Sequence, residues 1–137
     1  MNTAPNWKPA PALRNEAWLA YVRTLPSVQS GKRGCVAHHP VGHGRLSTLR
    51  VSDYFAIALT DSEHKVLHDG GWSAWEDKYG DQYDHALQTM QRGIHEGVLV
   101  WRDGANLGHW TETAQELERA IREGELVFCK KAARLAG

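Results

Sequence analysis

Five of the eight histidines in this 137-residue chain lie between residues 38 and 68, in an order suited to holding a metal ion. Ala37-His38-His39-Pro40 comes first, then His43, then His64-Lys65-Val66-Leu67-His68. Neutral imidazoles suit zinc and borderline transition metals, whereas hard Mg²⁺ prefers oxygen. Two histidines four residues apart on a helix lie on one face and can share one ion. The same spacing also serves a solvated or half-buried helical face with no metal. Neighbours on a strand point to opposite faces, so one member of the His38-His39 pair can bind metal while the other meets substrate. Taken together, the cluster can place three imidazoles around one divalent ion and leave a fourth free to act as a base.

The elements that must position these side chains are legible around them. Cys35 to His38 reads as a short strand entering the histidine pair, and Gly42-His43-Gly44-Arg45 as a loop where backbone can approach a ligand. Tyr54 to Leu59 is a second β-like run. Thr60-Asp61-Ser62-Glu63 then matches the S/T-x-x-E capping box and predicts that a helix carrying His64 and His68 starts there. Gly70-Gly71 ends it. Upstream, Pro5, Pro9 and Pro11 mark residues 1–12 as an irregular arm, and apolar residues at helical spacing from Leu13 to Thr24 predict an amphipathic helix stopped by Pro26. Downstream, helices are expected over Trp72–Tyr79, Asp84–His95 and Thr111–Glu123, the last capped by Thr111, with short strands at Val98–Trp101 and Leu126–Phe128.

Composition bounds the rest. Hydrophobic residues make up 42% and charged residues 23% of the chain, ordinary for one globular domain large enough to bury a core. No apolar run approaches membrane-spanning length and the start carries no basic-then-apolar signal pattern, so a cytoplasmic location and no membrane partner are expected. Cys35 and Cys129 lack a metal-binding spacing and read as small buried apolar residues. Net charge is zero, yet residues 1–50 hold seven basic side chains against the single acid Glu16. That asymmetry can form a local phosphate-binding face, or scatter over the folded surface.

Several of these segments together resemble a known family. Ala37-His38-His39-Pro40, Gly42-x-Gly-Arg45, Ser52-Asp53 through Leu59, Glu63-His64-x-x-x-His68 and Trp75-Glu76-x-x-Tyr79-Gly80 look like the phage HNH nucleases of the Ref recombination-enhancement type, over about Trp18 to Gly80. The resemblance implies a ββα-metal fold. With the elements above it gives an α+β protein whose HNH-like core spans residues 13–80 and includes the N-terminal helix. Residues 81–137, for which the family offers no counterpart, read as a helical extension packed on the same domain. The resemblance also implies a divalent-metal-dependent DNA endonuclease, phage-encoded and linked to recombination or DNA processing, with one ion (Mg, Mn, Ni or Zn). His38, His64 and His68 match metal-ligand positions and His39 matches the general base. Lys32, Arg33, Arg45 and Arg50 are candidate nucleic-acid contacts; a guanidinium fork fits a phosphate, but loop solubility explains the arginines equally well. DNA is the implied substrate, with a recombinase or another host or phage protein as further partner.

The chain departs from that pattern in two ways. Cysteines of a structural zinc knuckle would fall at Ser27, Ser30 and Thr60, with a fourth ligand at Glu63; all four differ, so no structural zinc is expected. The middle Asn of HNH is also absent, since no Asn occurs between residues 16 and 105. Asp53 is the best placed substitute, either as a ligand or as a hydrogen-bonding brace for the loop, and an ordinary turn-forming Asp is the competing reading. These losses leave open a second function class: a catalytically inactive HNH-like protein that binds DNA or a protein, or acts as an inhibitor.

Overall fold

The computed structural model describes residues 11–42, 51–102 and 112–136. The fold is α+β: among the described residues there are six helices and two separate two-stranded antiparallel sheets. Asn15 opens α1 (Glu16–Arg23), its side-chain oxygen accepting from the Trp18 amide at 3.0 Å. The helix starts later than the Leu13 expected from periodicity. Leu13 is tied instead to a distant loop: its N–H donates to Ser52 Oγ at 2.9 Å and its carbonyl accepts from Asp53 N at 2.9 Å. Trp18, Tyr21 and Val22 form the buried face of α1.

Strand β1 (Cys35–His38) pairs antiparallel with β2 (Ile57–Thr60), in a register that sets Cys35 opposite Thr60 and His38 opposite Ile57. The second strand is shorter than the run from Tyr54 predicts. Asp53–Phe55 is a buried 3₁₀ turn, closed by Ala56 N–H donating to the Asp53 carbonyl at 3.0 Å, and extended pairing begins only at Ile57. Helix α2 (Asp61–Gly70) follows directly, then α3 (Trp72–Tyr79) and α4 (Gln82–His95). The sharp joint between α2 and α3 is Gly71, at φ +93°, a conformation that side chains disfavour. Helix α4 begins two residues before the expected Asp84, because the Asp81 carboxylate accepts from the amides of Tyr83 and Asp84.

The C-terminal part adds β3 (Leu99–Trp101), α5 (Ala114–Arg122), β4 (Leu126–Phe128) and α6 (Lys130–Ala136), with β3 and β4 paired antiparallel. The cap of α5 is Thr113, whose hydroxyl accepts from Glu116 N at 3.1 Å; the expected cap, Thr111, lies outside the described residues. Helix α6 has no counterpart in the sequence reading. It is seven residues of helix-favouring Lys, Ala, Arg and Leu, too short to show a period. It packs on α1, and α5 packs on α4 and beside the 3₁₀ turn, so both ends of the chain share one apolar core around Trp18, Leu59, Leu67, Met90 and Leu117. Cys35 is buried and Cys129 half-buried, both as free thiols. No helix among the described residues is long and apolar enough to cross a membrane.

The start of α2 is a polar hub. Thr60 Oγ1 accepts from Glu63 N at 3.2 Å and Glu63 Oε1 accepts from Thr60 N at 2.9 Å, so both halves of the capping box are made. Ser27 Oγ donates to the same Glu63 oxygen at 2.5 Å and accepts from the amides of Gln29 and Ser30. Ser27, Ser30 and Thr60, three of the four positions that differ from the resembled zinc knuckle, thus gather on the carboxylate of the fourth, Glu63. Burial alone would push the Glu63 carboxyl up, but hydrogen bonds from Ser27, Ser30 and Thr60 outweigh it and hold it below its ordinary value. Thr60→Ala removes one cap bond and is expected to cost about 1 kcal/mol in urea unfolding. Glu63→Ala strands the Ser27 hydroxyl and the Thr60 amide together and is expected to cost about 2–3 kcal/mol. Equal costs for the two variants would contradict the hub.

Candidate metal centre

The hub sets where α2 begins, and hence where its histidines go. Thr60 lies opposite Cys35, at the far end of β1 from His38, so a helix leaving Thr60 must run back along the strand to reach the histidine pair. Three residue steps of β1 cover about 10 Å, and seven steps of α2 from Asp61 to His68 rise about the same. The second turn of α2 therefore draws level with His38. The rings meet there: the centroid of His38 lies 5.0 Å from that of His64 and 5.4 Å from that of His68, which are 4.5 Å apart.

One nitrogen from each of His38, His64 and His68 lies within 4.8 Å of the others, the only such group of three ligand-type residues among the described residues. His64 Nε2 and His68 Nε2 are 3.0 Å apart. Tetrahedral zinc with bonds near 2.1 Å spaces its nitrogen ligands by about 3.4 Å, so the three need only small side-chain adjustments. His38 is 1% exposed, and among the described residues its Nδ1 has no hydrogen-bond partner. A buried lone pair left bare is costly in a metal-free protein and is what a coordinating imidazole must present. Burial pushes the His38 imidazole down to about 4, and burial with the neighbouring His68 lowers His64 as well. Both rings are therefore neutral near pH 7. The residues fit a divalent ion.

His39 points elsewhere, as a neighbour on a strand end should. Its Nε2 lies 2.9 Å from Asp53 Oδ1. An ionised carboxylate only accepts, so Nε2 carries the proton and Nδ1 is left to take one. The buried Asp53 carboxylate also accepts from Asn15 N at 2.7 Å and Arg14 Nη1 at 3.1 Å. Asp53 is thus a brace for His39 and is absent from the three-histidine group. The sequence reading offers Asp53 as a ligand, a brace for the loop or a turn-former; the carboxylate lies against His39, a partner that reading does not name.

The basic candidates are less gathered. Lys32 and Arg33 precede the Cys35 end of β1, away from His38, and Arg33 Nη1 donates to the Thr24 carbonyl at 2.6 Å, closing the end of α1. His43, Arg45 and Arg50 lie outside the described residues. Two site residues escaped the sequence reading. Arg14 shares Asp53 Oδ1 with His39, a pairing across 39 positions that no local pattern signals. Gln82 is fully buried and its Oε1 lies 2.8 Å from His38 Nε2; no local pattern in the sequence marks it.

Burial pushes the Asp53 carboxyl up, but hydrogen bonds from His39, Asn15 and Arg14 more than offset this and hold it below its ordinary value. A carboxyl depressed in the folded state stabilises above its unfolded value, near pH 4, and loses that contribution as pH falls through the folded one. Asp53→Asn is expected to destabilise the protein by on the order of 2 kcal/mol at pH 7. Urea unfolding repeated at successively lower pH should show the gap to wild type closing below about pH 4. A gap that does not change with pH would rule out the ionised brace.

Among curated proteins, the chain is similar to "Uncharacterized protein YdfU" of Escherichia coli (strain K12), 33% identical over 87 residues. The match covers 62% of this chain and 24% of that protein, so the chain spans about a quarter of the length of the curated relative. No solved structure matches. A family match runs from residue 8 to residue 97, enclosing the three-histidine group, His39 and Asp53, and continuing past Gly80 through the whole of α4, where the sequence reading had found no counterpart. It extends over well more than half of the chain, which belongs to the family described as "Protein of unknown function (DUF968)".

Proposed function

We propose that this chain is a divalent-metal-dependent DNA endonuclease on a ββα-metal core formed by β1, β2 and α2. One observation carries the reading: three imidazoles converge near a fourth, His39, whose proton-accepting nitrogen is set by a buried carboxylate. Three nitrogen donors without a carboxylate favour Zn²⁺ or Ni²⁺ over Mg²⁺ or Mn²⁺. When bound, the ion supplies Lewis-acid polarisation of the scissile phosphate and neutralises charge on the departing oxygen.

The chain's own residues supply the proton chemistry. His39 Nδ1 accepts the proton of an attacking water, and Asp53 holds the ring and stabilises the imidazolium that results. Arg14, half exposed, donates to the same carboxylate and to the Val51 carbonyl and so helps hold Asp53 against His39. The ordered series of motifs from His38 to Gly80, resembling the Ref-type HNH nucleases, supports the same reading. A cytoplasmic site of action, a phage origin and a recombination-linked role go with it.

Purified protein is expected to cleave DNA with Mn²⁺, Ni²⁺, Zn²⁺ or Mg²⁺ and to stop when the ion is chelated. His39→Ala should retain the metal and lose cleavage by about 100-fold or more. Alanine at His38, His64 or His68 should lose the metal itself, as elemental analysis would report. Intact single- and double-stranded DNA with all four ions, or an active His39→Ala protein, would reject the mechanism.

A further inference from the structure

We infer that Gln82 is the positioning residue that makes His38 a metal donor, by fixing which ring nitrogen carries the proton. The inference rests on the three-histidine metal site but not on nuclease activity. The two ends of an amide side chain look alike by shape, so their orientation must come from partners. Here the partners leave one solution. Val41 N–H can only donate, and it meets Gln82 Oε1 at 3.1 Å. The Val41 carbonyl can only accept, and it meets Gln82 Nε2 at 2.9 Å. The Glu76 carboxylate takes the other Nε2 proton at 3.3 Å and the Gln82 backbone N–H at 2.9 Å.

With both amide protons placed, only Oε1 faces His38 Nε2, at 2.8 Å. An amide oxygen only accepts, so His38 Nε2 must carry the proton and donate. In a neutral imidazole the bare nitrogen is then Nδ1, the buried atom without a partner among the described residues. The other tautomer would oppose two lone pairs across 2.8 Å and put an N–H where a metal donor is needed. Gln82, fully buried with its amide held by Val41 and Glu76, selects the coordinating tautomer before any ion arrives. Through Gln82, Glu76 and α4 thereby support the metal site.

The test uses full-length protein with ¹⁵N-labelled histidine. Long-range ¹H–¹⁵N correlation of the metal-free protein should show His38 as the Nε2–H tautomer, and Gln82→Met should lose that single signature. Calorimetric titration with Zn²⁺ should show binding weakened about 10- to 100-fold in Gln82→Met. Glu76→Ala, which removes one anchor of the Gln82 amide, should give a smaller loss in the same direction and serves if Gln82→Met does not fold. A wild-type Nδ1–H tautomer overturns the inference. So does wild-type Zn²⁺ binding that Gln82→Met and Glu76→Ala leave unchanged. Wild-type protein that binds no Zn²⁺ while showing the Nε2–H tautomer instead sinks the metal-site reading, and the donor role of Gln82 with it.

Discussion

The turn from β2 into α2 is the constraint on which the rest of the site depends. A helix can begin at many points along a chain, and each residue of delay rotates its faces by about 100°. Here the Thr60–Glu63 box fixes the first turn, and Ser27 anchors that turn to the loop after α1. The phase is then set for the whole of α2: Leu67 goes into the core and His64 and His68 go to His38. A single buried carboxylate, Glu63, carries this junction. Neutral hydrogen bonds to a charged acceptor are individually worth about 1.5–3 kcal/mol, which is modest beside the roughly 10–16 kcal/mol of a structural zinc site. The apolar core must therefore supply most of the stability, and it draws on both ends of the chain, with Trp18 on α1 packed among residues reaching to α6.

The histidines divide by burial. His38 is inside the protein, where a positive charge is costly, and it is neutral at any pH near 7. His68 is exposed and His64 half-buried, so the group opens toward solvent on the α2 side. His39 is a quarter exposed and held on its inner edge by Asp53, leaving its other nitrogen turned away from the carboxylate. One strand end thus delivers a buried imidazole and a partly exposed one from adjacent residues. The alternation of side chains along β1 does that sorting.

The parts of the chain without recognisable motifs act as supports. Glu118 on α5 accepts from Ser52 Oγ at 2.5 Å, and Ser52 in turn receives the Leu13 amide. This fixes the residue next to Asp53, so α5 holds the loop that holds His39. Gln82 at the start of α4 reaches His38 directly. Long-range polar contacts of this kind join the N-terminal segment, the histidine pair and the C-terminal helices into one hydrogen-bonded frame.

The sequence by itself determined the local pieces: β1 at Cys35–His38, the capping box at Thr60, the helix to Gly70 with two histidines on one face, and α3 over Trp72–Tyr79. Each of these is set by neighbours within four residues, through side-chain alternation, helical period or a cap, and such signals are printed in the order of residues. It misplaced the start of α1 and read Tyr54–Phe55 as strand, because Leu13 and Asp53 answer to each other across 40 positions rather than to their neighbours. Tertiary structure alone decided that Asp53 braces His39, that Arg14 joins them, and that Gln82 faces His38. Those roles rest on buried polar groups that must find partners wherever the fold brings them, and no spacing along the chain records where that is.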